Sequence, residues 1–508
     1  MGGGPGSLDP AVSYTTEAAE PDWLAYTGLL TYAHADGRAG ERLIPGLATS
    51  LPTVTDGGKT YTLTLRSGLV YSNGAPVRAS DFKWTVERAI RLWEVSGAFL
   101  TPVVQGARAY ASGEARTVSG IVANDKTGRI TIRLTAPDGW FEDVLTFPAL
   151  GLVPAGTPMH NEPRRPPPGV GPYMLSSIVP DQSFRLVRNP FWAQMRIPGI
   201  PAGSVDVSVR LSASLSANAQ LVLDNQADVF DWADSIPRGL LPRIRARARG
   251  RYSQKLGLSS DFVFLNTREK PFSSQLAREG VATALDDNAM NRIASGRLVR
   301  GCHFLPPGMI GHTTAPCPYG SPTGGGNLAK GRALVMRSGM RGTRLTVWSE
   351  DVPIRLQWMD YYAGLLRRLG FRVRQRILSP GEYFDALDQL ANHAQTGFDD
   401  WNADFPDPTD FYTLLNAASI TRHNNYNASL VDDPRIQHTL KALTPVLPND
   451  LESVASRWQT VDRYVARKAY FAVFGHQTFP VFTSRRIDYR SIVFQPEYGL
   501  DWSSFKLK

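Results

Sequence analysis

The chain has 508 residues, of which 42% are hydrophobic and 20% charged, with a formal net charge of +9 and a pI near 9.5. These fractions are ordinary for a globular protein, and because a single core stops growing at roughly 250–300 residues, two or three lobes are expected. No apolar run approaches the roughly 18 residues of a membrane span, and the best stretch, 144–156, is interrupted by Pro148 and Pro154, which excludes a membrane-spanning helix.

The opening Met1-Gly2-Gly3-Gly4-Pro5-Gly6-Ser7 reads as a flexible tether, of the kind that follows an export signal or a lipid-bearing cysteine. Tyr61-Thr62-Leu63-Thr64-Leu65 alternates as a strand between the turn signals at Asp56-Gly57-Gly58 and Ser67-Gly68. A helix then begins near Ser80-Asp81, with Ser80 as its cap, and aligns Phe82, Val86, Ala89, Ile90 and Trp93 on one face. The densest basic run is Arg243, Arg245, Arg247, Arg249 and Arg251, whose alternate spacing reads as a charged, solvated strand edge. No zinc-finger spacing, RNP-like motif or basic zipper accompanies it, so no nucleic-acid partner is expected.

Further on, residues 261–266 read as a strand and 273–293 as a helix. The only two cysteines, Cys302 and Cys317, share a loop rich in Pro and Gly. They read as a disulfide, worth about 3 kcal/mol in the chain-entropy model, or as two reduced thiols if the chain stays in the cytosol. His303 and His312 nearby complete no zinc pattern, so no metal site is expected. Ile354, Trp358, Tyr361, Leu365 and Leu369 form a helical stripe ending at Gly370, and a strand follows from Phe371. Mixed strands and helices throughout make this an α/β chain.

Catalytic signatures fail. Gly58-Lys59-Thr60 lacks the glycine a phosphate loop needs five positions before Gly58, where Thr53 stands, so Gly57-Gly58 is a hairpin turn. There is no Gly-x-Ser-x-Gly, His-Glu-x-x-His or Gly-x-Gly-x-x-Gly. What stands out is the segment 401–408, Trp-Asn-Ala-Asp-Phe-Pro-Asp-Pro, with Phe411 and Tyr412 after it. Aromatic area beside a carboxylate suits a ligand that carries an ammonium group. The same segment also reads as a turn whose acids cap local amides and whose aromatics fill a core.

The order of motifs resembles the family 5 solute-binding proteins of ABC importers, which include oligopeptide-, dipeptide- and nickel-binding members. The similarity begins at Leu8-Asp9-Pro10 and runs through Asp56-Gly57-Gly58-Lys59-Thr60-Tyr61 to Asn73-Gly74-Ala75-Pro76-Val77-Arg78-Ala79-Ser80-Asp81-Phe82, with Arg88 soon after. It continues through Gly169-Val170-Gly171-Pro172-Tyr173, Arg188-Asn189-Pro190-Phe191-Trp192, Phe264-Leu265-Asn266 and Ala284-Leu285-Asp286 to the 401–408 segment. Val170 and Asp287 depart from the family's usual Thr and Arg.

The resemblance implies an α/β, two-lobed periplasmic-binding-protein-like fold of class II type, with a large, subdivided first lobe and a ligand cleft enclosed at the hinge. Lobe I is expected over 1–262, with a subdomain at about 41–165, lobe II over 263–475, and a return to lobe I over 476–508. The implied function is capture of a di- or oligopeptide for import, without catalysis and without a cofactor. The alternative is another solute on the same scaffold, a nickel chelate or an oligosaccharide. Partners would be the peptide-like solute and the permease subunits, with the protein itself a monomer, and its location extracytoplasmic, either periplasmic or lipid-anchored. In peptide-binding relatives the aspartate matching Asp404 pairs with the ligand's α-ammonium group, so Asp404 is the expected acceptor. Trp401, Asn402, Ala403 and Phe405 would line the same wall, and His423 lies where metal-chelate binders place a histidine.

Overall fold

The computed structural model describes the whole chain except residues 14, 93 and 321–323, together with the side chains of 94–96. The chain forms two compact units, one of residues 1–255, 445–448 and 479–508, the other of 256–444 and 449–478.

The first unit holds several small sheets. Thr53–Thr55, Thr60–Thr64, Arg129–Arg133 and Ile121–Asn124 form an antiparallel sheet in that order. Asp56, Gly57 and Gly58 all have positive φ in its first hairpin, which accounts for the glycines there. A second sheet joins Tyr173–Val179, Ser183–Arg188 and Val207–Arg210. The expected helix occupies Ala79–Leu92 and buries Phe82, Val86 and Ala89, while Trp93 lies outside the described residues. Ser80 is not its cap: the Ser80 amide and hydroxyl both donate to Asp125, and Asp81 accepts the Arg78 amide instead.

Motifs distant in sequence meet in this unit. Arg88 grips Asp9 with two bonds of 2.6 Å, both side chains being fully buried. The Asn189 side chain donates to Gly171 O at 2.9 Å, tying the Arg188 motif to the Gly169 motif.

The arginine run 243–251 is not a strand. Leu241–Arg247 is a helix opened by Pro242, with Leu241, Ile244 and Ala248 buried. Apolar residues at spacings of three and four decide the matter, and the alternating arginines are spread around that helix. Arg251 turns inward to donate to Thr483 O at 2.6 Å.

The second unit is built on one sheet in which residues 471–478, Ser259–Leu265, Thr396–Asn402, Arg344–Glu350 and Arg372–Leu378 are neighbours in that order. The last two strands are parallel. The helix Pro353–Leu369 packs on one face, with Trp358 stacked on Phe398 at 5.7 Å, and ends at Gly370, whose φ of +106° only glycine adopts readily. Residues 273–293 form two helices, Gln275–Ala284 and Asp287–Ile293, because the Asp286 side chain caps the second by accepting the Ala289 amide. Cys302 and Cys317 are disulfide-bonded.

Candidate functional site

The segment singled out at 401–412 closes one end of the strand Thr396–Asn402. Trp401 and Asn402 are its last residues, opposite Ser260 and Ser259, and the Ala403 amide donates to Leu258 O at 2.8 Å. The chain then turns into the short helix Pro408–Tyr412. Asp407 caps that helix by accepting the Thr409 amide and hydroxyl, each at 2.8 Å. Phe411 and Tyr412 are wholly buried, Phe411 edge-on to Phe304 and Tyr412 against Trp458. Core filling therefore explains these two aromatics, and capping explains Asp407.

Asp404 and Trp401 are held differently. One oxygen of buried Asp410, Oδ2, accepts the Trp401 indole N–H at 2.9 Å and the Asp404 amide at 3.0 Å. This fixes the indole and the Asp404 backbone relative to each other while leaving Asp404 half-buried. Burial raises the Asp410 carboxyl well above its ordinary range, and the charge of Asp404 raises it further. Burial also lifts Asp407, to about 6.

More carboxylates line the strand behind. Asp399 is buried and raised well above the usual range by desolvation and then by Asp400. Asp261, opposite Asp400 in the sheet, is fully buried and raised to about 7 by the same two causes in the same order. Its Oδ1 accepts the Gln477 amide at 2.8 Å, whereas its Oδ2 has no hydrogen-bond partner among the described residues. Arg355 bonds Asp400 at 3.1 Å and also Glu350, and lies over Phe398. Asp400 and Asp261 share one face of the sheet, and Asp399, the neighbour of Asp400 on its strand, faces the other.

The other expected site residues are dispersed. Asn402 is exposed, Phe405 is buried, and exposed His423 bonds through its ring to Gln389. From the loop that carries His423, it is Tyr426 that meets Trp401, edge-on at 6.3 Å. Asp410 and Tyr426 are the residues sequence reading missed. The Asp407-Pro408 cap signature marks a helix start, and a helix turns its third residue, Asp410, back toward the preceding turn.

His303 and His312, from one loop, meet the sequence-distant His476. His312 lies 6.5 Å from His303 and 6.3 Å from His476, ring centre to ring centre. His476 Nδ1 lies 3.0 Å from Ser260 Oγ, but both side chains are sealed from solvent, and Ser260 donates to Phe304 O. Among the described residues, no group of three or more His, Cys, Asp or Glu could hold a metal. No helix among them is long and apolar enough to cross a membrane.

Residues 42–422 match the family described as "Bacterial extracellular solute-binding proteins, family 5 Middle". The probable D,D-dipeptide-binding periplasmic protein of Escherichia coli is 24% identical over 427 residues, 81% of this chain and 75% of that protein. Di/tripeptide-binding protein 1 of Pseudomonas aeruginosa is 23% identical over 507 residues, 88% and 87% of the two chains. Among solved structures, clavulanic acid biosynthesis oligopeptide binding protein 2 superposes with a TM-score of 0.87 over 99% of this chain and 93% of that one, at 23% identity. A Helicobacter pylori ABC transporter-associated periplasmic binding protein with the peptide STSA has a TM-score of 0.73 over 99% and 96%, at 18% identity. The match across most of the chain shows that it belongs to the bacterial extracellular solute-binding proteins of family 5.

Proposed function

We propose that this protein captures a peptide for an ABC importer, delivers it to the permease subunits, and catalyses nothing. Asp404 is the acceptor for the ligand's α-ammonium group, with Trp401 beside it and the backbone of Asn402 and Ala403 on the same wall. The observation that carries this reading is the Asp410 clamp, which holds the Asp404 amide and the Trp401 indole on one carboxylate oxygen. The clamp sets two carboxylates close together at the end of an acidic strand, and an ammonium group placed there relieves their repulsion. Three of the similar proteins are named for di-, tri- or oligopeptides, which supports it. The family, one of solute-binding proteins, supports binding without turnover, and the nearby Ser260–His476 pair is sealed in the core.

The test is a two-by-two calorimetric cycle of Asp404→Ala against an N-acetylated peptide, using a peptide identified by native mass spectrometry of the purified protein. Removing one member of a desolvated charge pair costs about 2–5 kcal/mol, or roughly 30-fold to several thousand-fold in affinity. The two changes remove one interaction, so their combined loss should fall well short of the sum. Additive losses would show that Asp404 does not meet the ligand's amino end, and a non-peptide found by mass spectrometry would overturn the ligand class.

A further inference from the structure

The chain's net charge is +9, and one segment supplies almost all of it. Residues 328–378 hold eleven arginines and lysines against three carboxylates, a net of +8. The fold sets most of this charge on and around the parallel strands Arg344–Glu350 and Arg372–Leu378, with Arg355 engaged by Glu350 and Asp400 at their far end.

Arg344 and Arg372 are partners in the strand register, as are Thr346 and Arg374, and Trp348 and Arg376. Register partners share a face. Leu345 and Val347 point into the core with Val373 packed against them, so the arginines occupy the opposite face. All four are exposed, and two of them sit side by side across the strands. Like charges in such positions repel. Their recorded side-chain neighbours are neutral: Arg374 Nε donates to Thr346 Oγ1 at 2.8 Å, and the Arg376 guanidinium lies 4.2 Å over the Trp348 ring.

The charge continues round the strand starts. Arg341 lies against Gly370, and Arg332 Nε donates to the carbonyl of Arg368 at 2.5 Å. Arg332, Arg341, Arg367 and Arg368 are all exposed. The segment's carboxylates are engaged or lie elsewhere: Glu350 is held by Arg355, Asp360 accepts from Gln375, and Asp351 lies just past the far end of its strand. Protection of an exposed sheet edge explains charge on the edge strand Arg372–Leu378. It does not explain charge on the helix Leu328–Arg337, which has no edge to protect.

We propose that this arginine-rich rim is a docking surface for the anionic phospholipid headgroups of the membrane on which the importer works. The charges are strung along a rim instead of converging on a cup, so they match a diffuse anionic surface better than a single small anion. The proposal rests on the extracytoplasmic location that goes with the family and is independent of the peptide reading.

Co-sedimentation of the full chain with vesicles of phosphatidylglycerol and phosphatidylcholine, against vesicles of phosphatidylcholine alone, tests it. Wild type should bind the anionic vesicles only, and binding should fall steeply as salt rises from 50 to 200 mM. Each arginine near an anionic surface contributes about fivefold, so Arg372→Gln/Arg374→Gln/Arg376→Gln should bind roughly a hundredfold more weakly. Arg243→Gln/Arg245→Gln/Arg249→Gln removes equal charge elsewhere and should bind like wild type. Equal losses in both triple variants would mean that only net charge matters, and would overturn the assignment to this rim. Failure of wild type to bind anionic vesicles at 50 mM salt would overturn the lipid assignment, including where the same arginines prove necessary for binding purified permease. Circular dichroism melting curves of both variants keep a folding defect from being read as lost binding.

Discussion

Asp9 in the first unit and Asp261 in the second are both fully buried carboxylates, and their surroundings differ in kind. Asp9 receives two bonds from Arg88 and one each from the amides of Ala11 and Glu162, so both oxygens are saturated and the charge is neutralised on the spot. Asp261 receives one neutral bond, faces a second carboxylate across the strands, and leaves an oxygen unpartnered among the described residues. The first arrangement is complete as it stands and needs nothing from outside. The second belongs to a row of acids in which Arg355 bonds Asp400 and Glu350 and does not bond Asp261 itself. Burial alone does not separate the two acids; the count of donors does.

The contrast can be broken experimentally. Arg88→Met should have the largest effect, lowering unfolding free energy by about 3–5 kcal/mol because Asp9 is left charged and buried, as read from urea midpoints at pH 7. A loss below about 1 kcal/mol would mean that the two surrounding amides suffice for Asp9.

Asp261→Asn should act with the opposite sense and depend on pH. The folded carboxyl titrates near 7 against an ordinary value of 3.8, so between those values the folded state keeps a proton that the unfolded chain has released. That contribution to stability is present below about pH 4 and is lost as pH rises toward 7. The variant, which cannot ionise, should therefore gain on wild type by more than about 1 kcal/mol between pH 5 and pH 8. A constant difference would show that Asp261 does not titrate in this window.

Trp401→Phe removes one of the two donors on Asp410 Oδ2 and should cost about 1 kcal/mol of stability, with a several-fold loss of ligand affinity. An affinity loss without the stability loss would mean that the indole meets the ligand and not Asp410. Asp404→Ala sharpens the comparison from the other side: its unfolding midpoint should shift by no more than about 0.5 kcal/mol, since a binding acid is not a folding acid.

Much of this was legible in the sequence because strong periodicity survives tertiary context. The stripe from Ile354 to Leu369 and the alternation of Tyr61 to Leu65 became the helix and strand they suggest. Errors arose where two periods competed. Arginines at every second position suggested a strand, but the apolar residues Leu241, Ile244 and Ala248 carried the burial energy and set the helix. The break at Asp286 was hidden in a continuous apolar pattern and is a side-chain capping effect. The 401–408 segment stands out locally, whereas the places of Asp410 and Tyr426 beside Trp401, and the meeting of His303 and His312 with His476, depend on the fold and leave no trace in spacing.

The Cys302–Cys317 bridge gives one polypeptide two stabilities, depending on which side of the membrane it has reached. In a reducing cytosol the staple is open and the chain lacks about 3 kcal/mol. It is then easier to hold or thread unfolded. Once oxidised outside, the same chain resists unfolding more strongly, and the segment that carries His303 and His312 is locked in place. Durability is thus conferred on arrival, where the protein works, and withheld during transit, when a rigid fold would be an obstacle.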